Sequence, residues 1–128
     1  MLMWKTLCLT TILWATGCAA TSRPPRPAKI NHLVFIVLTD SADVQKLIDA
    51  CDTQLPFIPG VVAYHCGQHR DFDRTNIDSA YDVALSIGFD SAAAYATYVA
   101  HPDHVALLTA WGPRVQSIRI HDVVDETP

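Results

Sequence analysis

His104 is the residue of this chain best placed for acid–base chemistry. It shares one helix face with Leu108 and Trp111, at i, i+4 and i+7, so its imidazole is expected to look inward beside core residues. An inward imidazole beside a phenolic hydroxyl can act as a general base. Tyr98 lies just upstream, across Pro102, which opens a new helix and pushes His101 away from helical geometry. The plainer alternative is that His104 ties the start of its helix to the fold, with Tyr98 as partner. Its imidazole is expected within ~4 Å of a polar group from Tyr98 or His32, directly or bridged by water, because buried polar groups rarely lack partners. Two other groupings look like metal sites and fail on spacing. His101 and His104 are three apart, but Pro102 breaks the helix between them. His69, Asp71 and Asp73 sit in a polar loop that fits no cation-loop template. No metal site and no cofactor is expected.

The cysteines carry a different message. The chain opens with one basic residue, Lys5, then an apolar stretch of about a dozen residues ending in Ala15-Thr16-Gly17-Cys18. A membrane-spanning helix needs ~20 apolar residues. A short apolar run after a basic start, closing in small residues, is the pattern of an export signal. The last four residues resemble a bacterial lipobox, in which the cysteine is acylated after cleavage. Residues 1–17 are therefore expected to be a signal peptide and Cys18 a lipid anchor. A membrane-anchored envelope lipoprotein follows, with the outer membrane favoured because Ala19, not Asp, comes next. Residues 18–29 carry three prolines in four positions and read as a tether. Cys51 and Cys66 remain for the domain. A disulfide between them would close a 15-residue loop, worth ~3 kcal/mol in the chain-entropy model. Two buried thiols acting as small hydrophobes are the alternative.

The elements that must position these groups run from residue 30 to residue 124, with 125–128 as a tail. The whole chain has 128 residues, half of them hydrophobic, and a net charge of −4. That suits one compact domain, and the acidic balance excludes a nucleic-acid partner. Residues 30–38 form a strand whose last six residues are all apolar. An antiparallel sheet with one wet face alternates, so both faces of this strand are covered. Val44, Leu47, Ile48, Cys51 and Leu55 mark a helix face. A second strand is expected at 61–67, with Val62, Tyr64 and Cys66 on one side. A third is expected at 80–89, with Tyr81, Val83, Leu85, Ile87 and Phe89 alternating against smaller residues. Asp90 or Ser91 caps a helix at 92–100, Pro102 opens another reaching Trp111, and a last strand follows at 115–124. The order β-α-β-β-α-α-β is the α+β, ferredoxin-like arrangement with an antiparallel four-stranded sheet. Its helices cover one face. A second copy of the same sheet is the simplest cover for the other, which predicts a homodimer.

Several segments carry a family likeness. They are Ile30-Asn-His-Leu-Val, Ile58-Pro-Gly-Val, Tyr81-Asp-Val and, above all, the spacing Ala94-x₃-Tyr98-x₂-His101-Pro102-x-His104. Residues 30–124 resemble the stress-responsive A/B barrel family, Dabb. The resemblance implies a dimeric α+β barrel. Some plant members are polyketide cyclases in which a Tyr and a His do acid–base chemistry, and a His on the first strand lines the same pocket. Those positions fall on Tyr98, His104 and His32. Three functions stay open at this point. One is a lipid-anchored module of stress response or of binding a small apolar or aromatic ligand. One is an enzyme using Tyr98 and His104. The third is a haem- or oxygen-related barrel.

Overall fold

The computed structural model describes residues 24–127. The signal segment 1–17 and the lipidation position Cys18 lie outside the described residues. The elements are β1 (Ile30–Leu38), α1 (Val44–Gln54), β2 (Val61–Gln68), β3 (Val83–Phe89), α2 (Ala92–Ala100), α3 (Pro102–Trp111) and β4 (Val115–Val124). The strands form one antiparallel sheet in the order β2-β3-β1-β4. This is the ferredoxin-like arrangement the periodicities predict. Among the described residues no helix is long and apolar enough to cross a membrane.

Local chemistry explains the boundaries. The Asp40 carboxylate accepts from the Ala42 amide and opens a short 3₁₀ turn before α1. The Ser91 hydroxyl accepts from the Ala94 amide and caps α2. His101, extended before Pro102, ends α2 and caps α3 with its ring, Nδ1 accepting from the Asp103 amide at 3.2 Å. His101 is thus a structural residue. Gly60 turns the chain into β2 at φ 94°, where only glycine is relaxed, and Ala94 of α2 packs against it.

One face of the sheet carries the core. Val34, Ile36 and Leu38 of β1, with Val83, Leu85, Ile87 and Phe89 of β3, pack under Leu47, Cys51, Tyr98 and Leu107 of the helices. The other face presents Leu33, Phe35 and Val37, each half-buried. The Phe35 ring lies 5.1 Å from that of Tyr81 and 6.0 Å from that of His121.

Three details differ from the periodicity. β3 begins at Val83, not at residue 80. Asp82 is held in an irregular link, its amide donating to the Ile36 carbonyl and its carboxylate accepting from the Leu38 amide. Tyr81 therefore escapes the strand alternation and rests on Phe35, on the outer face. In β2 a bulge after Val61 puts Val61 on the core side with Tyr64 and Cys66 and turns Val62 out to solvent. The end of the tether is also part of the fold. Ala28 is buried, the Asp125 amide donates to the Lys29 carbonyl at 2.7 Å, and the Arg26 guanidinium pairs with the Asp125 carboxylate and reaches Thr127.

Candidate functional site

A cavity of about 580 Å³ lies between the helices and the core face of the sheet. It exists because no helix lies over β4, an edge strand exposed along its length. Val34, Ile36, Leu85 and Leu107 line its walls, and the half-exposed Leu108, Ile118 and Ile120 rim its mouth. His32, Tyr95, Tyr98 and His104 also line it. The three residues singled out from the sequence thus meet in one cavity within one chain, and a fourth, Tyr95, joins them.

His32 is buried, with 6% of its surface exposed. Strand alternation aims it at the helices with Val34 and Ile36. Asp122 is its cross-strand neighbour on β4. His32 Nδ1 donates to Asp122 Oδ1 at 2.6 Å. The Tyr95 hydroxyl donates to Asp122 Oδ2 at 3.1 Å and stands 3.3 Å from His32 Nδ1. Burial, then the bond to Asp122, hold the Tyr95 phenol above its usual value, so it stays a proton donor.

Tyr98 is 2% exposed. Its ring lies 4.5 Å from that of His104, 5.1 Å from Phe89 and 6.1 Å from His32, so it stands between the two imidazoles. Burial pushes the Tyr98 phenol up. Among the described residues its hydroxyl has no hydrogen-bonding partner, yet it is not sealed from the cavity. It is a neutral donor with nothing of the protein to donate to.

Among the described residues His104 makes no direct hydrogen bond to Tyr98 or His32. Its Nδ1 donates instead to the Val99 carbonyl at 3.0 Å. That carbonyl sits in the last turn of α2, where no helical amide remains to satisfy it. The interruption at Pro102 brings it within reach, so the break that ends α2 also supplies its cap. The ring packs on that of Tyr98 in a tilted arrangement, 39° between the planes, without a hydrogen bond.

Cys51 lies on the cavity wall and Cys66 beside it, both as free thiols. The neighbouring Cys66 sulfur and then burial push the Cys51 thiol up, while Cys51 holds Cys66 below its ordinary value against the opposing effect of burial. Cys66 is thus the more readily ionised of the two. Among the described residues no three His, Cys, Asp or Glu side chains gather as a metal site. In the polar loop the Asp71 carboxylate accepts from the Asp73 amide, a turn contact.

Sequence reasoning missed Asp122 and Tyr95. Asp122 is a charge on the core-facing side of β4, in phase with Ile118 and Ile120. That phase was readable, but its opposition to His32 needs the strand register. Tyr95 stands three residues before Tyr98 on the same helix, a spacing that puts both on one face.

The geometry agrees with known structures. The chain is similar to a Dabb family protein with a ferredoxin-like fold from Mesorhizobium loti, at 28% identity and TM-score 0.64, over 77% of this chain and 97% of that one. It is similar to a dimeric ferredoxin-like protein from Thermobifida fusca, at 23% identity and TM-score 0.64, over 75% and 90%. It shares its fold with a hydroxynitrile lyase from Passiflora edulis, at 15% identity and TM-score 0.66, over 80% and 99%. A search of curated proteins finds no match. The family model of the stress responsive A/B barrel domain matches residues 30–125, the whole of the sheet and its helices, and the chain belongs to that family.

Proposed function

We propose that this protein is an exported, lipid-anchored homodimer that binds a small apolar or aromatic molecule in the cavity between its helices and sheet. The observation that carries this reading is the cavity itself: about 580 Å³, apolar on its walls, with four polar rings among its lining. Ligand sites have this composition, mostly apolar with a few placed polar groups. The Tyr98 hydroxyl supports it: it has no hydrogen-bonding partner among the described residues, and Tyr98 lines the cavity, where a ligand or water can meet it. Export and anchoring rest on the signal-like segment and Cys18, and the homodimer on the apolar outer face of the sheet.

The test is native mass spectrometry of the full chain, released from membranes in mild detergent. The expected result is an added small-molecule mass on each protomer. Ile120→Trp, at the exposed mouth, removes that mass without unfolding the chain. A bare wild-type mass, with no uptake of an apolar fluorescent probe, overturns the binding reading. Fractionation of Cys18→Ala tests the anchor: it moves to the soluble fraction, while wild type takes up a palmitate analogue. Unlabelled wild type ends the lipoprotein reading.

A second reading is favoured by the row His104, Tyr98, His32. Tyr98 donates to a carbonyl oxygen while an imidazole moves a proton on the same molecule, as in the acid–base work of the family's cyclases. Turnover that falls at least ~100-fold in both Tyr98→Phe and His104→Ala, within the ordinary range for general acid–base groups, is the expected signature.

A further inference from the structure

His32, Asp122 and Tyr95 form a closed set of hydrogen bonds at one place on the cavity wall. The Asp122 carboxylate only accepts. At 2.6 Å from Oδ1, the His32 Nδ1 must therefore carry a hydrogen. The second carboxylate oxygen is taken by the Tyr95 hydroxyl at 3.1 Å, which fixes the plane of the carboxylate. The other ring nitrogen of His32, Nε2, has no partner among the described residues and is not walled off, and the ring lines the cavity. A neutral imidazole with Nδ1 protonated has a bare lone pair on Nε2.

We propose that Asp122 and Tyr95 are positioning residues for His32, holding its hydrogen on Nδ1 so that Nε2 is presented to the cavity as an acceptor. This rests on the cavity being a ligand site and specifies what that site takes. His32 accepts, and Tyr98, with its ring 6.1 Å away, donates. The molecule that fits therefore carries a hydrogen-bond donor, such as a hydroxyl or enol, and an acceptor oxygen on an apolar body. An imidazole with its hydrogen on Nε2 would select the opposite pattern. Asp122 belongs to an edge strand and is itself 44% exposed, so its removal is expected to leave the core intact.

Long-range proton–nitrogen correlation spectra of histidine-labelled full chain in detergent read this directly. They are recorded at pH 8, above the ordinary imidazole value of ~6.5, with His32 assigned by its loss in His32→Gln. Wild type is expected to favour the Nδ1–H form by at least about tenfold, the effect of one hydrogen bond to a charged group. In Asp122→Ala the freed Tyr95 hydroxyl donates to Nδ1, and the preference inverts to Nε2–H. Tyr95→Phe keeps Nδ1–H. A wild-type His32 with its hydrogen on Nε2, or an Asp122→Ala protein with unchanged His32 nitrogens, overturns the proposal. The spectra need no ligand, so they decide the tautomer even where the mass and probe experiments reject the cavity as a binding site.

Discussion

The His104 imidazole and the Val99 carbonyl are joined at 3.0 Å across the break between α2 and α3. A carbonyl only accepts, so His104, like His32, uses Nδ1 as a donor to the protein and leaves Nε2 bare. The two imidazoles thus present the same face of their chemistry on either side of the Tyr98 ring. One of them also holds the helix junction together.

That double use separates the effects of two substitutions. His104→Ala removes the cap on Val99 and is expected to lower stability by ~0.5–1.5 kcal/mol, the net worth of one ordinary hydrogen bond. Tyr98→Phe removes a hydroxyl with no protein partner among the described residues and is expected to cost less than ~0.5 kcal/mol, because no protein bond is lost. Urea unfolding checks both. A Tyr98→Phe protein destabilised more than His104→Ala would show that the hydroxyl is bonded within the fold.

Gly88 tests whether the tether end belongs to the domain. A Cβ at position 88 would stand 2.6 Å from the Ala28 Cβ and 2.8 Å from the Ala63 Cβ. Neither methyl group can swing aside. Gly88→Ala is expected to cost ~1–3 kcal/mol, as overpacking does. Adding Ala28→Gly relieves one of the two clashes and recovers part of the loss. A single mutant as stable as wild type would mean that Ala28 does not sit over the sheet.

The Arg26–Asp125 pair fastens the same segment and should respond to acid. The Arg26 guanidinium holds the Asp125 carboxyl at about 2, well below the usual carboxylate range. A depressed carboxylate contributes its stabilisation in full above its unfolded value of ~3.9 and loses it as pH falls towards the folded value. The tie is therefore constant at neutral pH and opens only between about pH 4 and pH 2. Carbon-13 titration of the Asp125 carboxyl is expected to show a midpoint near 2 in wild type and a rise into the ordinary range in Arg26→Ala. The Arg26 side chain is half exposed, so added salt should weaken the pair. An unmoved midpoint in Arg26→Ala would remove the clamp.

The element order along the chain and the helix faces were legible because they follow from periodicity: apolar alternation in β3, the 3.6-residue face of α1, and Pro102 at a helix start. What was not legible depends on register and irregular backbone. Tyr81 reads as strand, in step with Val83, yet Asp82 bonds Ile36 and Leu38 and throws Tyr81 to the other face. Val62 reads as core until the bulge after Val61 turns it out. Asp122 gains its meaning only from the pairing that sets it opposite His32. His32 came from family likeness alone, His104 and Tyr98 from that likeness together with the helix face of His104, and the cavity that joins them arises because the helices leave β4 uncovered, which no local pattern encodes.

The outer face of the sheet carries the last prediction. Leu33, Phe35 and Val37 point away from the core, and the Phe35 ring lies against those of Tyr81 and His121, both of that face. A sheet face this apolar is covered in a stable fold, and the helices are all on the other side. Phe35→Asp is expected to leave the single chain folded, since Phe35 takes no part in the buried core. It is also expected to weaken self-association by at least ~100-fold, because a second sheet laid on this face would bury an unpaired carboxylate. Ile36→Asp, one residue along and facing the core at 7% exposure, should instead unfold the protein. Sedimentation of the full chain in matched-density detergent separates the two. A wild-type chain that sediments as a folded monomer would mean that this face is covered by something other than a second copy.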